Sequence, residues 1–64
     1  MRITNAGATV LRRRLSREGE TTLDTHLLAA IASRNSYRGS IQVYGQDAVN
    51  AALNQLIRQG YIVR

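Results

Sequence analysis

Apolar residues return at helical spacing in three stretches of the chain, most clearly in the last. Between Gly45 and Gly60, the residues Val49, Ala52, Leu53, Leu56 and Ile57 fall on one helix face. Asp47, Asn50, Asn54 and Arg58 fall on the opposite face, at spacings of three, four and four. Asp47 lies in the first turn, where the helix dipole favours a negative charge. Gly60 fits the left-handed position just past the end, with Tyr61 folding back on Leu56. A second stretch runs from Thr22 to about Arg34. Leu23, Leu27, Ala30 and Ile31 form its stripe, Leu28 and Ala32 widen it, and Thr21-Thr22-Leu23-Asp24 has capping-box spacing with Thr21 as the cap. Asn35 or Ser36 ends this helix, which is expected to be the most buried. The earliest helix starts from Thr4 or Asn5 as cap and runs to about Arg17, with Gly19 as its stop. Ala8, Leu11 and Leu15 are its expected inward face, with Val10 beside them.

Strands are short. Arg2-Ile3-Thr4 and Tyr61-Ile62-Val63 read as strands at the two ends of the chain, and they can pair in space. A ten-residue connection, Ser36 to Gly45, carries Ile41 and Val43 in alternation with Gln42 and Tyr44, the period of a half-buried strand. The expected architecture is α+β and mostly helical: three helices, two or three short strands, one domain over residues 1–64.

The charge balance narrows the chemistry. Nine basic residues oppose four acidic ones, for a net charge of +5, and every basic residue is Arg. A chain without Lys has neither a P-loop lysine nor Schiff-base chemistry, while Arg suits bidentate pairing with phosphate or carboxylate. With no Cys there is no disulfide, thiol nucleophile or cysteine metal site. One His and four carboxylates give no metal-binding spacing, so no metal and no cofactor are expected. The longest apolar run, Leu27 to Ala32, is far short of a membrane span, and no signal-like order opens the chain; a cytoplasmic protein is expected. The core must be built from sixteen Val, Leu and Ile residues plus Ala, with no Phe or Trp. At about 2 kcal/mol per buried aliphatic side chain this only just offsets the ordering entropy, which favours a homodimer.

Catalysis finds little footing. Ser16, Ser33, Ser36 and Ser40 are present and His26 is a potential base, but no serine lies in a nucleophile elbow. Gly39 and Gly45 bracket a loop whose spacing does not match a phosphate-binding loop. His26 sits at the edge of an apolar stripe and reads as a packed histidine. Glu18, Glu20 and Asp24 cluster around the first helix–helix turn, where Glu18 can pair with Arg14. The chain is not expected to be an enzyme.

Nucleic-acid binding rests on two features. Arg12, Arg13, Arg14 and Arg17, joined in charge by Arg34 and Arg38, form a basic cluster of the kind that attracts phosphate backbones. Consecutive Arg12 to Arg14 fan over about 200° of a helix, so they cannot all turn inward. The second feature is the outward face of the last helix. Asn50 and Asn54 offer amides to an adenine edge, Arg58 reaches a guanine or a phosphate, and Gln46 stands where recognition helices touch bases. The ordinary reading of both features is a solvated helix face.

The stretch Ala51-Ala52-Leu53-Asn54-Gln55-Leu56-Ile57-Arg58-Gln59-Gly60-Tyr61-Ile62-Val63 resembles the recognition helix and following strand of bacterial winged-helix DNA-binding domains. Arg2-Ile3-Thr4-Asn5-Ala6-Gly7 resembles the passage from a wing strand into a final helix, here in reverse chain order. The resemblance covers about a quarter of the chain. It implies docking in the major groove with Gln46, Asp47, Asn50 and Asn54 leading. Two departures accompany it: Asn35 to Gly45 is read as a connection where the family has a second helix, and no wing follows Arg64.

These observations point to a small DNA-binding transcriptional regulator of the kind a phage, plasmid or compact operon encodes. Arg12, Arg13, Arg14, Arg17 and Arg38 supply phosphate contacts, while Gln46, Asn50, Asn54 and Arg58 read bases. Double-stranded DNA is the expected partner. RNA is a variant, with Tyr37 and Tyr44 stacking on unpaired bases near Arg38. The alternative is a small basic protein-interaction module, an adaptor or inhibitor docking on an acidic partner protein.

Overall fold

The computed structural model describes residues 1–18 and 22–64. The elements follow in the order β1 (Arg2–Ile3), α1 (Asn5–Glu18), α2 (Leu23–Arg34), α3 (Arg38–Tyr44), α4 (Gln46–Arg58) and β2 (Ile62–Val63). The α+β, mostly helical expectation holds, and the two terminal strands pair antiparallel, Arg2 opposite Val63 and Ile3 opposite Ile62. Among the described residues there are four helices, not three. The segment expected to be a connection with a strand over Ile41 to Tyr44 is α3.

The reason lies in which side chains α3 turns inward. Ser40 is fully buried, and Tyr37, Ile41 and Tyr44 pack against the core, at the i, i+4, i+7 spacing of a helix. Val43, the residue that made the pattern alternate, is 67% exposed.

α2 is the central element, packed by α1, α3, α4 and β1. Leu27, Leu28, Ala30, Ile31 and Thr25 are buried on it, and Leu27, Leu28 and Ile31 join Val49, Ala52, Leu53 and Leu56 of α4 in one cluster, with Leu11 and Ile62 completing the core. Ala32, expected to widen the α2 stripe, is exposed. The proposed Thr21 cap and the Gly19 stop lie outside the described residues. Thr22 does the capping: its hydroxyl oxygen accepts from the Thr25 amide at 3.2 Å and donates to the buried Thr25 hydroxyl at 2.8 Å. Asn35 ends α2 in the left-handed conformation, φ 51°.

α1 corrects one expected face. Gly7 and Leu11 are buried and Arg14 is half-buried, whereas Leu15, expected inward, is 40% exposed. Thr4 caps this helix. Its hydroxyl accepts from the Gly7 amide at 3.0 Å and donates to the Gly60 carbonyl at 2.6 Å, and its own amide donates to the Tyr61 carbonyl at 2.9 Å. The start of α1 is thereby fastened to the end of α4. The fit leaves no room for a side chain at residue 7. A Cβ there would overlap the Tyr61 carbonyl oxygen and approach Ile3 Cγ1 to 2.7 Å.

α4 ends as the pattern predicts. Gly60, at φ 79°, donates to the Ile57 carbonyl, and Tyr61 donates to the Leu56 carbonyl at 3.0 Å, the paired bonds of a Schellman motif.

Candidate nucleic-acid interface

The outward face of α4 is laid out as the spacing required. Gln46, Asp47, Asn50, Asn54 and Arg58 are all exposed, while Val49, Ala52, Leu53 and Leu56 behind them are buried. A helix with so complete a buried stripe has one rotational setting, so packing of the apolar face fixes where the polar face points. α3 packs against α4 across the single residue Gly45. At φ 92° and ψ 153°, Gly45 occupies a region essentially reserved for glycine, and the chain turns there from α3 into α4.

One contact on this face was not anticipated. Gln46 Nε2 donates to Asn50 Oδ1 at 3.1 Å. The two amides are four residues apart, one helical turn, and the spacing alone would have allowed the pairing. Asp47 stands on the same face, so the surface is mostly neutral amide, with one carboxylate and, at the C-terminal end, one guanidinium.

The arginines do not gather around this face. Arg12, Arg13 and Arg17 are exposed on α1, which packs mainly on α2. Arg14 turns half inward and reaches Asp24 Oδ2 at 3.9 Å; with both side chains about a third exposed, this pair contributes little to stability. The expected Arg14–Glu18 pair falls on a side chain outside the described set. Arg38 and Arg58 are exposed on α3 and α4. Asp24 faces α1 and His26, two residues on, faces α3. A step of two residues turns about 200° around a helix, so α1 and α3 lie on opposite flanks of α2. The α1 cluster and α3 therefore stand on different sides of α2.

His26 is the packed histidine that its position suggests. Its Nδ1 shares a hydrogen bond of 2.5 Å with the Ser40 hydroxyl, and its ring meets Tyr44 edge-on, centroids 5.6 Å apart. Ser40 is fully buried, so the contact ties α2 to α3 and satisfies a hydroxyl that would otherwise be stranded in the core. Tyr37 and Tyr44 are half-buried against that core. Among the described residues no three His, Asp or Glu side chains converge to hold a metal ion.

The chain matches no protein-family model, and comparison with curated proteins and with solved structures likewise returns no match.

Proposed function

We propose that the chain is a small DNA-binding transcriptional regulator, winged-helix-like in using α4 as the recognition helix with α3 packed across it. The observation that carries this reading is the exposed series Gln46, Asp47, Asn50, Asn54, Arg58 on a helix whose opposite face is sealed in the core. Asn50 to Arg58 spans about 12 Å of helix axis, or roughly three to four base-pair steps of a duplex. Arg38 and Arg58 contact phosphates beside the groove, while Arg12, Arg13 and Arg17 supply a second, sequence-blind attraction from α1. A homodimer in the cytoplasm, each copy reading half of a site, is the working form.

Titration of a labelled duplex by the purified protein tests this. Affinity should fall with salt at a log–log slope of roughly −4 to −6 if four to six Arg each neutralise a phosphate. Arg12→Ala and Arg13→Ala should reduce that slope with little change in sequence preference. Asn50→Ala and Asn54→Ala should do the reverse. Absence of any complex at low salt overturns the reading.

The position of the α1 arginines, on the side of α2 away from α3, favours a second reading for that surface alone. On α1 the exposed Leu15 has Arg12 one turn before it, and Arg13 and Arg17 are exposed further round the helix, an apolar residue among cations suited to an acidic protein. Pull-down from nuclease-treated lysate separates the two: a stoichiometric protein retained through α1 supports an adaptor or inhibitor, and loss of all bound material supports DNA.

A further inference from the structure

The bond between Gln46 and Asn50 changes what the face can recognise. A lone asparagine amide carries both a donor and an acceptor, and can turn either toward a base. Here Asn50 Oδ1 is occupied by Gln46 Nε2. The amide atoms that make no hydrogen bond among the described residues are then Asn50 Nδ2, which donates, and Gln46 Oε1, which accepts, while Asn50 Oδ1 and Gln46 Nε2 are engaged with each other. The pair thus presents donor and acceptor from two different side chains, in a fixed order along the helix.

The major-groove edge of adenine offers an N7 acceptor beside an N6 donor, whereas guanine offers two acceptors, N7 and O6. Asn50 Nδ2 can donate to N7 of either purine. Gln46 Oε1 accepts from adenine N6 but would face guanine O6, oxygen against oxygen. Resting on the DNA reading above, we infer that Gln46 and Asn50 act as one unit selecting an adenine in the major groove. Asn50 makes the purine contact, and Gln46 both positions it and rejects guanine. The tie also holds two mobile side chains before the duplex arrives, which lowers the ordering cost of binding.

The test begins with selection from a random duplex library by the wild-type protein, followed by replacement of each adenine in the selected site with 7-deazaadenine, which removes only N7. One position should lose affinity roughly tenfold, and Asn50→Ala should bind more weakly and lose that sensitivity. Gln46→Ala should keep the 7-deaza response but narrow the preference for adenine over guanine at that position, because the released Asn50 amide can turn to either purine. A selected site indifferent to N7, or an unchanged adenine-to-guanine preference in Gln46→Ala, overturns the inference while leaving DNA binding intact. Failure of the folded protein, checked by circular dichroism, to recover any duplex overturns the DNA reading and this inference together.

Discussion

The two ends of α4 are fixed by different physics, although a glycine stands at each. At the C-terminal end the constraint is space as well as conformation. Gly60 turns the chain left-handed, Thr4 bonds to its carbonyl, and Gly7 of α1 lies so close to Tyr61 that any side chain would collide. At the N-terminal end nothing crowds Gly45; a Cβ there would find open space within 4 Å. Only its backbone angles demand glycine. One end is held by its neighbours, the other by the local geometry of the chain. The end that carries the amide pair is the one the rest of the fold leaves open.

Substitutions that probe each constraint should separate the two. Gly7→Ala should have the largest effect, a loss of about 3 kcal/mol or more in urea unfolding, because backbone rather than a flexible side chain blocks the new methyl. Gly45→Ala should cost about 2 kcal/mol through strain alone, and should also weaken sequence discrimination by misdirecting Gln46. Gly60→Ala, in open space and in the more tolerated left-handed region, should cost about 1 kcal/mol. Gly39→Ala, exposed in the first turn of α3 with nothing within 4 Å, should be neutral or stabilise by about 0.5 kcal/mol. If Gly7→Ala proved no worse than Gly60→Ala in the same urea series, the tight seam between α1 and α4 would be wrong.

α4 was legible in the sequence almost residue by residue, because a strong stripe, an acidic first turn and a terminal glycine agree. The terminal strands and their pairing were legible too. α3 was not: seven residues containing Ile41-x-Val43 imitate a strand, and the helical signal runs through Tyr37, outside the window that looked alternating. Leu15 was misplaced for a related reason. The inward line of α1 is set by contact of Gly7 with Tyr61, a long-range fit that no local pattern encodes, and it carries Arg14 inward and Leu15 outward. Each polar member of the α4 face could be read singly, but the Gln46–Asn50 bond depends on rotamers that spacing permits without dictating.

Pairing residue 2 with residue 63 closes a ring through nearly the entire polypeptide. Loop-closure entropy makes so distant a pairing the last to become favourable during folding, and two-residue strands have no stability of their own to hasten it. The helices should therefore assemble before this seam closes. Its amides, that of Thr4 among them, should exchange with solvent well before those in the middle of α2.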